Sequence, residues 1–248
     1  APPPSLVFPL WPATPPGGEG RAPRGAPGAA NPARNIDTPM LALYRPADPD
    51  VSALIIFPGG GYVNLSLTNE GSNPALRFNT ERVTTFILSY RLPAEGWANP
   101  QNVPLQDAQR AIRLVRARAA EFRIDPRRVG IVGYSAGGHL AASLATRHGE
   151  VTYAPVDAAD SQSAKPSFAG LIYPVITMTE PFTHRGSTTA LLGATPTDAA
   201  RAARSNELLV TADTAPCFIV HGMPDAVVPV ENAILMMQAL RAAKVPVE

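Results

Sequence analysis

The chain is short of several residue types, and each shortage removes a class of function. One cysteine, Cys217, occurs in 248 residues, so an intramolecular disulfide and a thiolate metal cluster are both excluded. It sits in the apolar run Cys217-Phe218-Ile219-Val220 and reads as a small buried hydrophobe. Lysine is confined to Lys165 and Lys244; the formal net charge is +1 and charged residues make up 17%. Such a balance gives no reason to expect nucleic acid or an anionic membrane surface as a partner. The nearest thing to a basic patch is Arg110, Arg113, Arg116 and Arg118, expected on the solvated face of a helix. No apolar stretch approaches the roughly 18 residues that span a bilayer. No secretory leader is visible, and the first residue, Ala1 rather than Met, suggests one already removed. The expectation is a secreted or periplasmic protein, otherwise a cytoplasmic one.

What is present falls into two regions. Residues 1–35 form an arm: ten prolines and five glycines fall within its first 32 positions. Proline removes backbone donors and glycine lowers order, so the arm is expected to be extended and irregular. Leu6, Val7, Phe8, Leu10 and Trp11 need cover, and the arm is expected to wrap over the domain to find it. Residues 36–248 read as one α/β domain. Apolar runs suited to strands occupy 40–44, 53–57, 83–90, 129–134, 168–175 and 217–221. Helical spacing is clearest over 104–122, where Leu105, Ala108, Ile112, Val115 and Ala119 share a face after Pro104. Further helices are expected after Ser135 and over 230–243. Strands alternating with helices imply a mostly parallel sheet with helices on both faces, and sites in such sheets form at the carboxyl ends of strands.

The segment Arg128-Val-Gly-Ile-Val-Gly-Tyr-Ser-Ala-Gly-Gly-His139 contains Gly133-x-Ser135-x-Gly137. A five-letter match of that kind is weak alone, but here an apolar strand leads in and an alanine-rich helix leads out. That is the strand–turn–helix setting in which a nucleophilic serine is pushed out above a sheet. Ser135 is the expected nucleophile. The Ala136 backbone N–H, one residue on, is the expected first donor to an oxyanion. A second donor is expected from the loop after an earlier strand, and Leu54-Ile-Ile-Phe-Pro58-Gly59-Gly60-Gly61-Tyr62 offers three glycines there. No Lys-Ser/Thr follows and Gly-x-Gly-x-x-Gly spacing is absent, so a nucleotide-phosphate loop is disfavoured. Asp225, in His221-Gly-Met-Pro-Asp225 after a late strand, is the expected acid; Asp198 and Asp213 read as loop or capping residues.

Together these stretches resemble α/β-hydrolase fold esterases of the acetylxylan esterase and carbohydrate acetylesterase type, BD-FAE-like members of the lipase/esterase branch. The matching stretches are Pro58-Gly-Gly-Gly-Tyr62, Glu70-Gly71, Tyr90-Arg91-Leu92, Pro104-Leu-Gln-Asp-Ala-Gln-Arg-Ala-Ile112, Gly133-Tyr-Ser-Ala-Gly-Gly-His139, Leu191-Leu-Gly193 and His221-Gly-x-x-Asp225-x-Val-Val-Pro229. The resemblance implies an oxyanion hole from Gly60, Gly61 and Ala136, and hydrolysis of acetyl esters on sugars without metal or organic cofactor. The implied partner is a small-molecule or polysaccharide ester. Tyr62 and His184 are further candidates for the substrate pocket. A general short-chain carboxylesterase, an exopeptidase of the same fold, or a hydrolase-fold binding module without catalysis are the alternatives.

The triad also needs a histidine, and the sequence has four. His139 lies on the helix after Ser135 and reads as packing or capping, His148 as an occupant of that helix's end. His184 lies in an insertion between strands that could form a substrate wall. His221 precedes Asp225, against the Ser…Asp…His order of this fold. By resemblance, the base lies about ten residues past Glu248, on a last strand and loop, with a final helix after it. The expectation is that the 248 residues lack that strand and helix.

Overall fold

The structure, a computed structural model, describes residues 2–22 and 33–248; part of the expected arm, 23–32, lies outside the described residues. In chain order the elements are β1 (Leu6–Pro9), β2 (Met40–Tyr44), β3 (Ala53–Phe57), α1 (Asn73–Thr80), β4 (Thr84–Ser89), α2 (Val103–Ala117), α3 (Ala119–Phe122), β5 (Val129–Tyr134), α4 (Ala136–Arg147), β6 (Ala169–Ile172), α5 (Arg185–Leu192), α6 (Asp198–Ala202), β7 (Cys217–Val220) and α7 (Glu231–Ala242). The strands make one sheet in the order β1-β2-β4-β3-β5-β6-β7. β1 and β2 pair antiparallel, as do β2 and β4; every other pairing is parallel. Beyond β7, Val247 bridges Cys217 in parallel, so the last residues continue the sheet on that side.

Every position of β3 is buried, as a strand covered on both faces must be. One face carries the larger core, in which Ile55, Phe86, Ile131 and Leu171 meet Leu105, Ala108 and Ile112 of α2 and Leu140 and Leu144 of α4. The other carries Leu54, Ile56, Ile87 and Val132 against Ala75 of α1. This is the mostly parallel α/β sheet with helices on both faces that the alternation of runs implied.

Two expectations need correction. The arm is not wholly irregular: residues 6–9 form an edge strand against β2, because a free sheet edge can pair any extended segment whose N–H groups point the right way. Phe8, Leu10 and Trp11 are buried, whereas Leu6 and Val7 stay exposed. The Trp11 indole donates to Asp107 at 2.8 Å, and the same carboxylate takes the Arg91 guanidinium with no exposure on either side chain. Arg91 also lies over the Trp97 ring, which carries Arg21 of the arm at 4.0 Å. The second correction concerns the arginines of α2. Arg110 is 1% exposed and paired with Asp157 and Asp160, while Arg113 donates to the Tyr153 hydroxyl and the Gln162 carbonyl. The segment 153–163 covers a helix face that looked solvated.

Candidate active site

β3, β5, β6 and β7 run parallel, so the segments that follow each of them emerge at one end of the sheet. Ser135 occupies the turn between β5 and α4, with φ 53° and ψ −119°. A non-glycine residue held there is strained, and such strain persists only where the surroundings impose it. Those surroundings are visible: Ser135 N donates to the Ile172 carbonyl and Val175 N to the Ser135 carbonyl, locking the turn to the end of β6. The flanking glycines are steric necessities. A Cβ at Gly133 would run into the Gly137 carbonyl, and one at Gly137 into the Phe57 carbonyl. Removing those side chains lets α4 start directly over the sheet, its positive end at Ser135.

The loop after β3 folds against this turn. A Cβ on Gly59 would lie 2.9 Å from the Ser135 Cβ and 2.6 Å from the Tyr134 carbonyl, so loop and turn touch with no room for a side chain between them. Gly60 (φ 132°) and Gly61 (φ 64°) continue in conformations that suit glycine, and a Cβ at Gly60 would run into the Asn64 carbonyl. The N–H groups of Gly60, Gly61 and Ala136 are bonded to no described residue, so each remains available as a donor in the loop and turn that meet at Gly59 and Ser135. The loop is braced from outside: Tyr90 Oη donates to the Pro58 carbonyl at 2.6 Å, and Gly59 N donates to Glu70 Oε2 at 2.9 Å.

Tyr62 is a correction. Expected as a pocket residue, it is 1% exposed, with its hydroxyl 2.8 Å from His139 Nδ1. It props the loop from below and presents no surface to a substrate, and burial drives its phenol above the ordinary range. His139 packs as expected; its Nε2 meets the Arg204 carbonyl at 2.8 Å. Burial depresses its pKa to about 4, the Arg204 carbonyl opposing and the charges of Arg147 and Arg204 adding to the effect. His148 caps the end of α4 and lies 3.3 Å from Asp213. Cys217 is buried, and desolvation raises its thiol to about 12.

Asp225 lies in the turn after β7. Its Oδ1 accepts from Val227 N and Val228 N at 2.8 and 3.0 Å, and its Oδ2 is 3.4 Å from His221 Nε2. The Val228 N–H, ahead of the cost of partial burial, holds its pKa below the usual carboxylate value. His221 Nε2 is 2.9 Å from the Val228 carbonyl, so this imidazole braces the acid's own turn. His184 caps α5 through Nδ1, which accepts from Ser187 N. Burial lowers its pKa while the charge of Asp225 raises it, and Ser187 Oγ lies 4.0 Å from where a Gly61 Cβ would sit. His184 is thus held on Ser187, whose hydroxyl reaches toward Gly61. The structure brings Ser135, the glycine loop and Ala136 into one contact group, with Asp225 and His184 at the same end of the sheet.

Sequence reasoning assigned no role to Glu70, Tyr134 or Tyr173. Tyr173 (φ 37°) donates to Glu70 Oε1 at 3.1 Å, and its ring lies 5.9 Å from that of Tyr134. The Glu70-Gly71 pair was legible only as a point of resemblance; its contact with Gly59 exists only in three dimensions. Among the described residues no three His, Cys, Asp or Glu side chains gather as a metal site requires.

Sheet, strained serine turn and glycine loop define the class: a chain of the α/β-hydrolase fold. Within it, the BD-FAE family model matches residues 41–240, and the chain belongs to that family. Among curated relatives, a Butyrivibrio fibrisolvens protein named endo-1,4-beta-xylanase B is 39% identical over 84% of this chain and 32% of its own length. An acetylxylan esterase of Xylanibacter ruminicola is 33% identical over 62% of this chain and 29% of its own. The chain thus spans about a third of these two relatives. A solved acetyl ester-xyloside bifunctional hydrolase from Caldicellulosiruptor lactoaceticus is 34% identical with TM-score 0.81, covering 99% of this chain and 85% of that one. The Thermogutta terrifontis esterase Est2, solved with propionate, is 28% identical with TM-score 0.69 over 86% of this chain and 77% of that one.

Proposed function

We propose that this chain hydrolyses acetyl esters carried on carbohydrates such as acetylated xylan, through an acyl-enzyme on Ser135. The observation that carries this reading is the strained Ser135 turn in contact, at Gly59, with a glycine loop whose next two N–H groups are bonded to no described residue. Ser135 attacks the acetyl carbonyl, and Gly60, Gly61 and Ala136 donate to the resulting oxyanion. Asp225, with Oδ1 already satisfied by backbone and its charge favoured, orients a histidine base through Oδ2 and stabilises the imidazolium. In this reading the base is a histidine other than His139, which is buried against Tyr62 and Arg204, and His221, which braces the turn of Asp225. The histidine takes the Ser135 proton and passes it to the sugar oxygen as the C–O bond breaks and the sugar hydroxyl leaves. Water then releases acetate from the acyl-enzyme. The sugar assignment draws on relatives named for xylan and acetyl esters.

The test uses the full-length protein. A fluorophosphonate probe should label Ser135, and Ser135→Ala should abolish labelling and lower kcat by about 10⁴-fold or more. Acetylated xylan or sugar acetates should be preferred to p-nitrophenyl butyrate. A preference for butyrate would replace the sugar reading by a general short-chain carboxylesterase, and no adduct at Ser135 would leave a binding module without catalysis.

A further inference from the structure

We propose that Glu70 is a positioning residue for ester hydrolysis: it fixes the glycine loop against the Ser135 turn and ties that loop to the segment leaving β6 through the Tyr173 hydroxyl. The inference rests on the reading of Ser135 as nucleophile and of Gly60, Gly61 and Ala136 as oxyanion donors.

The argument starts from which N–H groups are committed. Of the three consecutive glycines, only Gly59 has its N–H bonded to a described residue, and its acceptor is Glu70 Oε2. The point where a Gly59 Cβ would sit is 2.7 Å from Glu70 Oε2 and 2.9 Å from the Ser135 Cβ. Carboxylate and nucleophile turn therefore both close on the space that a Gly59 side chain would need. A hydrogen bond from N–H to a carboxylate is charge-assisted, hence shorter and stronger than a neutral one. The residues that follow, Gly60, Gly61 and Tyr62, all have positive φ, and a run of that kind is held only if its entry point is held.

The second half of the link is on the other side of Ser135. Tyr173 has φ 37°, is the first residue after β6, and gives its hydroxyl to Glu70 Oε1. Since Ser135 N donates to Ile172 and Val175 N to the Ser135 carbonyl, the Tyr173 segment and the nucleophile turn move together. Glu70 thus joins the donor loop to the element that carries the serine. It reaches both because it sits in a one-turn π-helix, Thr68–Ser72, a geometry often found at functional sites. That turn is itself sewn to the loop, Ser66 N donating to the Gly59 carbonyl and Glu70 N to the Ser66 carbonyl. The groups bonded to the carboxyl are the Gly59 N–H and the Tyr173 hydroxyl, with the charge also felt at Tyr90 and Tyr134; burial raises its pKa while Tyr173 and Gly59 lower it. Both oxygens are engaged by protein, so Glu70 acts through the loop and not on the ester.

The experiment measures kcat and KM for an acetyl ester, per fluorophosphonate-titrated site, in full-length wild type, Glu70→Ala, Glu70→Gln and Tyr173→Phe. Loss of one oxyanion donor costs about 10²–10³ in rate, and a 1 Å misplacement can cost about 10². Glu70→Ala, which keeps every donor but releases the loop, should therefore lower kcat about 10- to 100-fold and change KM less than about threefold. Glu70→Gln retains an acceptor for Gly59 N and a polar contact for Tyr173, and should return kcat to within about fivefold of wild type. Tyr173→Phe should fall between the two. Unchanged kcat per titrated site in Glu70→Ala would overturn the proposal even if thermal stability dropped, since that is a purely structural role. Glu70→Gln as slow as Glu70→Ala would overturn it as well. A wild-type protein inert to both probe and ester would instead sink the reading of Ser135, and the role of Glu70 with it.

Discussion

The imidazole of His139 is 1% exposed, with its two nitrogens against the Tyr62 hydroxyl and the Arg204 carbonyl. The Arg204 carbonyl can only accept, so Nε2 carries the proton, and Nδ1 accepts from the Tyr62 hydroxyl in the neutral ring that burial favours. Its pKa, about 4 against an ordinary 6.5, fixes the sign of a pH effect. Between those values the unfolded chain holds a proton at this site that the folded one does not, so stability falls as pH drops from about 6.5 to about 4 and levels off below. The full excursion is about 3 kcal/mol. Urea unfolding at pH 4.5 and pH 7 should show that slope from this site, and His139→Gln should flatten it. An unchanged slope in the variant would place the pH dependence elsewhere. The histidine was readable as a packed residue from its place on α4, but its pairing with Tyr62 was not. Seventy-seven residues separate the two, and only the positive φ at Tyr62, which no sequence pattern announces, turns the ring down into the core.

Among the elements, α2 shows what periodicity can and cannot say. Leu105, Ala108, Ile112 and Val115 define its apolar face, and they are buried as that spacing requires. The polar side was misjudged because its cover comes from 153–163 and from the arm, neither of which has a periodic signal. Asp107 is the centre of that polar packing: it holds the Arg91 guanidinium and backbone N–H and the Trp11 indole, with no exposed side-chain surface. Removing one member of a fully buried ion pair leaves the other uncompensated, so Asp107→Ala should cost about 3–5 kcal/mol. Chemical denaturation would read this as a lowered midpoint at unchanged m-value; a loss under about 1 kcal/mol would mean that Arg91 finds water.

Across the whole molecule, parallel pairing at the centre of the sheet and an antiparallel margin predict unequal stability. β3 and β5 are buried between two cores, whereas β1 is an edge strand with most of its side chains exposed. Native-state hydrogen exchange should find the amides of β3 and β5 opening only with global unfolding and those of β1 opening at lower cost. Equal protection would show that the arm folds as one unit with the domain.

Strands alternating with helices, the Gly133-x-Ser135-x-Gly137 turn and the three-glycine loop were all present in local sequence. Each is a short-range rule: period two or 3.6, a helix start after a strand, or backbone room that only glycine gives. With them came the fold, Ser135, and the loop that faces it. What only the tertiary structure decided is which distant groups hold those parts in place. Glu70 reaches Gly59 across eleven residues and Tyr173 across 103, and Tyr62 turns inward to His139. Contacts of that range depend on strand order and on how closely backbones approach, and neither is written in any one segment of the chain.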